Sequence, residues 1–108
     1  MGYRKMRVYI SGAISYLDRE EYTKRFERVE KYLLSQGYSN IVNPVKIAPY
    51  NNIPSWENYM RSCLKKMMTC DRIYVILQDY YKSNGVLEEI RLAKLLNIDI
   101  ININLEEI

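Results

Sequence analysis

The chain contains no histidine, and several other residue types are scarce. Its 108 residues include four glycines, three prolines, two cysteines, one phenylalanine and one tryptophan. Without histidine there can be no Ser-His-Asp or Cys-His catalytic group, and no zinc site that uses histidine. Any acid–base or nucleophilic chemistry must come from Asp, Glu, Tyr, Lys, Cys or Ser. The four glycines lack the spacing of a P-loop or a Gly-x-Gly-x-x-Gly dinucleotide motif.

Long apolar runs and blocks of one charge are also missing. No stretch is long enough for a signal peptide or a membrane span, so we expect a cytoplasmic protein with no membrane partner. Lys and Arg exceed Asp and Glu by 16 to 13, a net charge of +3 that is mixed along the chain and does not indicate nucleic-acid binding. Cys63 and Cys70, without a Cys-x-x-Cys motif, are expected to be buried and reduced.

The apolar pattern alternates between strands and helices. At 48% apolar and 27% charged, residues 1–108 are expected to form a single domain. Strands are predicted at residues 7–11, 39–43, 73–77 and 98–103, and helices at about 18–36, 56–67 and 85–96. This order predicts an α/β, Rossmann-like three-layer fold, with a parallel sheet of about four strands and helices on both faces.

Three loops follow the carboxyl ends of the predicted strands, where ligands bind in such folds. They span residues 11–18, 43–55 and 78–85. The second loop includes a long predicted connection, Pro44 to Pro54, which holds all three prolines, and Ser55 is expected to cap the next helix. The chemistry of these loops should decide the function.

The first and third loops offer an anion site and a carboxylate. The small turn around Gly12 could direct backbone N–H groups at an anion, or simply join a strand to a helix. In the third loop Ser83 or Asn84 can cap a helix, and Gly85 permits close approach. Glu89 follows about one turn later, where the helix N-terminus would stabilise its anionic form. Such a carboxylate suits a glycosyl-transfer nucleophile, or is a surface acid that complements the helix dipole.

Four further residues each have a functional and a structural interpretation. The Tyr9 hydroxyl could orient a carboxylate at the start of the third helix, or Tyr9 could be a core aromatic. Asp79 lies at the carboxyl end of a strand and is either a site acid or a solvated loop residue. Asp71 begins the same strand at its other end, and could instead end the preceding helix. Trp56 could stack on a base or pack the helix on the sheet.

Five motifs, taken in order, resemble one known family. They are Tyr9-Ile10-Ser11-Gly12-Ala13-Ile14, Asn43-Pro44, Trp56-x-x-Tyr59-Met60-Arg61, Cys70-Asp71-x-Ile73 and Ser83-x-Gly85-x-x-x-Glu89-x-x-x-Ala93. The set resembles the nucleoside 2-deoxyribosyltransferase-like superfamily, in particular a short bacterial and phage branch. The similarity runs from Met6 to about Ile103.

The resemblance implies a flavodoxin-like homo-oligomer, with a dimer as our expectation, that cleaves the N-glycosidic bond of nucleosides or nucleotides. By the family's pattern, Glu89 is the nucleophile that attacks the anomeric carbon and Tyr9 orients it. Asp79 or Asp71 would bind sugar hydroxyls or move protons. No metal or organic cofactor is needed for this chemistry.

One departure from the family's pattern bears on the substrate. The transferases carry an aspartate six residues before the glutamate, whereas this chain carries Ser83, as the related nucleotide hydrolases do. The resemblance therefore favours a nucleoside 5′-monophosphate as substrate and water as acceptor. The alternative is a nucleotide-binding or sensing module without turnover. The residues expected to bind substrate or phosphate are Ser11, Gly12, Ile14, Ser83, Gly85, Asn43 and Trp56.

Overall fold

The computed structural model describes residues 5–14, 17–47 and 55–108. Strands and helices alternate along these residues. They are β1 (Arg7–Ser11), α1 (Arg19–Ser35), β2 (Asn40–Val42), α2 (Pro44–Ile47), α3 (Trp56–Met67), β3 (Arg72–Ile76), α4 (Asn84–Leu95) and β4 (Asp99–Ile103). Single 3₁₀ turns follow β3 at Leu77–Asp79 and β4 at Leu105–Glu107.

The four strands form one parallel sheet in the order β2-β1-β3-β4. Tyr9 at the centre of β1 pairs with Val42 on one side and Ile73 on the other. The chain leaves β1 toward β2 and later crosses back to β3, so the topological switch point lies between the carboxyl ends of β1 and β3. The predicted α/β fold with a four-stranded parallel sheet is confirmed.

Alternate residues of the strands enter two separate cores, because successive side chains point to opposite faces of a sheet. On one face Val8 and Ile10 pack with Phe26 and other residues of α1. On the opposite face Tyr9 and Val75 pack with residues of α3 and α4. Helices therefore cover both faces, and the sheet is the middle of three layers.

Local capping chemistry sets the ends of the helices. Ser55 Oγ accepts a hydrogen bond from Asn58 N at 3.1 Å, and Ser83 Oγ accepts one from Val86 N at 3.2 Å. Each serine satisfies a backbone donor that the first helical turn leaves unpaired. Gly37 follows α1 with a φ of 100°, the left-handed conformation expected of a glycine just beyond a helix.

The connection after β2 differs from the prediction of a loop. Pro44 opens the four-residue helix α2, and Asn43 Oδ1 accepts a hydrogen bond from Val45 N at 3.1 Å. Proline is favoured at a first helical position because its fixed φ suits the helix and no N–H is lost. The rest of the predicted connection, residues 48–54, lies outside the described residues. Within the described residues, no helix is long and apolar enough to cross a membrane.

Gly12, directly after β1, packs closely against two residues of the core. A Cβ added there would lie 2.7 Å from Ile76 Cδ1 and 3.0 Å from Phe26 Cζ, whereas the nearest atom to one added at Gly85 would be Met60 Sδ, at 3.2 Å. We expect Gly12→Ala to lower the free energy of unfolding by about 1 to 3 kcal/mol through overpacking. Urea denaturation measures the change.

Gly85→Ala is the matched control for that substitution, since it adds the same methyl group beside a flexible thioether and within a helix that favours alanine. We expect it to change the free energy of unfolding by less than about 1 kcal/mol. Wild-type stability in Gly12→Ala would contradict the packing argument.

Candidate functional site

The carboxyl group of Glu89 is buried against the carboxyl end of β1. Its Oε2 accepts a hydrogen bond from the Tyr9 hydroxyl at 2.5 Å, and its Oε1 accepts one from the Ser11 hydroxyl at 2.7 Å. Tyr9 and Ser11 are alternate residues of one strand, so both side chains rise from the same face of the sheet. The side chain of Glu89 is only 4% exposed. The predicted contact between Tyr9 and Glu89 is confirmed, and the Ser11 hydroxyl joins it.

Burial raises the pKa of Glu89 from 4.5 to about 7, because water no longer solvates the charged form. The hydrogen bonds from Tyr9 and Ser11 act in the opposite direction, since they favour the anion, but they offset burial only in part. The prediction that the helix N-terminus stabilises the Glu89 anion is corrected, because the net shift of its pKa is upward. Glu89 lies in the second turn of α4, where the effect of the helix dipole has declined.

A narrow cleft leads to Glu89; it encloses about 20 Å³ of free space, or about 340 Å³ when the open space at its mouth is counted. Its walls are mostly aromatic and apolar, and they come from β1, all four helices and the loops after β1 and before α4. The lining residues are Tyr9, Ile10, Gly12, Ile14, Phe26, Pro44, Trp56, Tyr59, Met60, Cys63, Ser83, Gly85 and Glu89. Most of the binding residues predicted from sequence thus meet in one place, and Trp56 forms part of the cleft wall.

Asp79 is buried, and it holds the loop after β1, which forms part of the cleft wall. Its Oδ2 accepts a hydrogen bond from Ala13 N at 2.9 Å, and its Oδ1 lies 2.8 Å from Arg25 Nη2. The carboxylate therefore fastens the loop after β1 to helix α1. Asp79 is not among the residues that line the cleft, so the structure gives it a supporting position in place of the predicted contact with sugar.

Two other predicted site residues lie apart from the cleft. Asp71 is at the amino end of β3, where its Oδ2 accepts a hydrogen bond from Arg7 N at 2.9 Å. This edge of the sheet is opposite to the carboxyl ends, so Asp71 is not brought together with Glu89. Asn43 Nδ2 donates to Glu30 Oε1 at 2.9 Å, and its neighbour Pro44 is the residue that reaches the cleft wall.

The α3 residues Tyr59, Met60 and Cys63 line the cleft, although the sequence predicted only that Cys63 is buried. Burial raises the pKa of Cys63 to about 11 and that of Tyr59 well above its usual range. Both side chains are therefore protonated at neutral pH and can act as hydrogen-bond donors. Helical periodicity identified the buried face of α3, but it could not show that this face borders an open cleft.

Metal-binding side chains do not gather in the part of the chain that the structure describes. It holds no group of three or more His, Cys, Asp or Glu residues that could ligate an ion.

The comparison with known families places the chain in one of them. Residues 6–102, most of the chain, match the family described as a domain of unknown function, DUF4406. The chain belongs to the DUF4406 family. No curated protein and no solved structure matches it. The family description assigns no activity, so the function of this DUF4406 domain has to be argued from the chemistry of its site.

The raised pKa of Glu89 makes the stability of this DUF4406 domain depend on pH. Between pH 4.5 and 7 the folded state keeps a proton that the unfolded state releases, so stability falls as pH rises. Glu89→Gln removes this titration. We expect the free energy of unfolding of Glu89→Gln, relative to wild type, to increase by about 3 kcal/mol over that range. Urea denaturation at several pH values measures it.

Glu88→Gln is the matched control, because Glu88 is exposed and pairs with Arg91 on the surface of the same helix. Its stability should run nearly parallel to that of wild type across the pH range. If the free energy of unfolding of Glu89→Gln changes with pH as that of wild type does, Glu89 has an ordinary pKa.

Proposed function

We propose that this DUF4406 domain is an N-glycosidase that acts on nucleoside 5′-monophosphates. The observation that carries the proposal is the Glu89 carboxyl group, which is nearly inaccessible to bulk water, held by two hydroxyl donors and placed in a cleft at the switch point of the sheet. The resemblance of the ordered motifs to nucleoside 2-deoxyribosyltransferase-like proteins supports the same assignment.

The reaction proceeds in two displacements at the anomeric carbon. In the first, a lone pair of the Glu89 carboxylate bonds to C1′, and the bond from C1′ to the base nitrogen breaks with its electrons leaving on the base. The departing base takes a proton from water. In the second, a water molecule bonds to C1′ and loses a proton while the ester bond to Glu89 breaks, which regenerates the carboxylate. A second base in place of water would give transfer.

The hydrogen bonds to Glu89 suit such a nucleophile. Tyr9 and Ser11 each engage one carboxylate oxygen, so the plane of the carboxylate is fixed, while each oxygen retains a lone pair. A fixed nucleophile lowers the entropic barrier to attack. Burial keeps the carboxylate poorly solvated, so less water has to be removed before the bond to C1′ forms.

The cleft divides into a region suited to a base and a region suited to a phosphate. Trp56, Tyr59 and Met60 offer flat or polarisable surfaces for stacking. The phosphate belongs near Gly12, Ile14 and the start of α4, where first-turn N–H groups lack helical partners.

Ser83 is the side chain best placed to contact that phosphate. Its Oγ accepts a hydrogen bond from Val86 N, so its hydroxyl hydrogen can be donated to an anion. The Ser11 hydroxyl, which the family resemblance assigned to the phosphate, donates its hydrogen to Glu89.

One observation favours a second candidate, a nucleotide-binding module without turnover. Among the described residues that line the cleft, Glu89 is the only carboxyl group. Glycosidases that use two carboxyl groups have an acid to protonate the leaving group. Without such an acid, a tightly bound nucleotide would keep its base.

Incubation with a panel of nucleoside 5′-monophosphates, followed by chromatography for free base, tests the proposal. We expect wild type and Glu88→Gln to release base at similar rates and Glu89→Gln to be slower by about 10³-fold or more, because the nucleophile is lost. Base release that survives in Glu89→Gln would refute its role. Thermal stabilisation by nucleotide with no release in any sample would favour the binding module.

The rate of base release should rise with pH through about 7, because only ionised Glu89 attacks C1′ and its pKa lies there. Tyr9→Phe removes a hydrogen bond that favours the anion, so the rise should shift to higher pH. Initial rates between pH 5 and 9 measure both effects. A rate that does not change across this range would contradict the assignment of the anion as the reacting form.

A further inference from the structure

Asp79 connects three parts of the chain that meet at the carboxyl edge of the sheet. It lies in the 3₁₀ turn after β3 and is fully buried. Its Oδ2 accepts a hydrogen bond from Ala13 N, in the loop after β1, at 2.9 Å. Its Oδ1 lies 2.8 Å from Arg25 Nη2 on α1. One carboxylate therefore ties the turn after β3 to the loop and to the helix.

The hydrogen bond from Ala13 fixes the loop where it forms part of the cleft wall. Gly12 and Ile14, on either side of Ala13, line the cleft, whereas Ala13 itself is buried and is absent from the lining. Because the atoms of a peptide group lie in one plane, a contact that holds Ala13 N also holds the carbonyl group of Gly12. The backbone that a phosphate would meet in this loop is therefore held by a carboxylate that does not itself line the cleft.

Arg25 balances the negative charge that Asp79 places next to this loop. The Arg25 side chain is 16% exposed and that of Asp79 is 1% exposed, so water and salt screen the pair weakly. Of the described residues that line the cleft, none is Lys or Arg, so a phosphate there would be bound by neutral N–H and O–H donors. Without Arg25, the unbalanced buried carboxylate would repel such a phosphate.

We propose that Asp79 and Arg25 are positioning residues for the phosphate group of the substrate. Asp79 holds the peptide between Gly12 and Ala13, and Arg25 cancels the charge of Asp79 so that the loop accepts an anion. The inference rests on the proposed function in that the substrate carries a 5′-phosphate. Neither side chain lines the cleft, so both act through the loop.

The first experiment measures hydrogen exchange of the Ala13 amide by NMR in the protein without nucleotide. We expect Asp79→Ala to speed this exchange by about tenfold or more relative to wild type, because the acceptor is lost. Asp79→Asn retains an oxygen acceptor and should keep most of the protection. Exchange of the Val75 amide, in the buried strand β3, corrects for any global loss of stability.

If Asp79→Ala does not fold, Asp79→Ala/Arg25→Met takes its place, because the double variant leaves no unpaired charge. The role of Asp79 is overturned if the corrected exchange of Ala13 equals that of wild type, or if Asp79→Asn loses as much protection as the alanine variant does.

The second experiment adds inorganic phosphate at constant ionic strength and follows the amides of Gly12 and Ile14 by NMR. We expect Arg25→Met to raise the Kd for phosphate about tenfold, since the charge of Asp79 is no longer balanced. Asp79→Asn/Arg25→Met carries no charge at this position and should bind phosphate within about threefold of wild type. The role of Arg25 is overturned if phosphate does not shift these amides in wild type, or if the double variant binds as weakly as Arg25→Met.

Lys24→Met is the matched control for Arg25→Met. Lys24 is the neighbour of Arg25 on α1 and has the same charge, but it pairs with Glu20 in solvent. Its removal should change the Kd for phosphate by less than about twofold, because water and salt screen exposed charges. An equal weakening in Lys24→Met would trace the effect to net charge and overturn the role of Arg25.

The third experiment compares base release from a nucleoside 5′-monophosphate and from the same nucleoside without its phosphate. We expect Arg25→Met to raise KM for the nucleotide about tenfold with less than about a twofold change in kcat, and to leave kcat/KM for the nucleoside unchanged. An equal loss on both substrates overturns the inference and leaves the glycosidase activity standing. If wild type releases no base, the proposed glycosidase activity fails, whereas the two NMR experiments still decide the roles of Asp79 and Arg25.

Discussion

The placement of β1 between β2 and β3 is the constraint on which the rest of this fold depends. Because both neighbours pair with it in parallel, β1 is buried on both faces and along both edges. Its side chains must therefore alternate between two cores, and its residues from Val8 to Ser11 are all buried, whereas Arg7 at the amino end is partly exposed. Tyr9 and Ser11 project hydroxyl groups from a strand whose other buried residues, Val8 and Ile10, are apolar, and the carboxyl group of Glu89 meets them there. The site follows from the position of the strand.

Much of this arrangement could be predicted from sequence because it depends on local chemistry. Three predicted features involve residues that lie close together in the chain. They are the order of strands and helices, the helix caps at Ser55 and Ser83, and Gly37, the glycine just beyond the end of α1. The contact between Tyr9 and Glu89 could also be predicted, because the carboxyl ends of parallel strands and the amino ends of the helices that follow them lie at the same edge of the sheet. Here local patterns and topology give the same answer.

Contacts that depend on burial or on residues distant in the chain could not be predicted from the sequence. Nothing in the sequence near Asp79 indicates a pair with Arg25, because the two meet only after α1 has packed on the sheet. The protonation of Glu89 was expected to follow from its place in a helix, whereas burial has the larger effect. The prediction of a loop after Asn43 failed because Pro44 opens a short helix there. The calculation of these effects requires the three-dimensional surroundings of each group.

The close packing of Gly12 also limits how this protein could be redesigned. Because Ile76 and Phe26 fill the space where a side chain would grow, the loop after β1 can change little without a change in the core on the other side of the sheet. Substitutions in the cleft are therefore better accommodated on α3 and at the start of α4, where Trp56 is half-buried and Gly85 faces a flexible methionine. The wall of the cleft at Gly12 is therefore constrained by packing, whereas residues in the wall formed by α3 and α4 can be substituted one at a time.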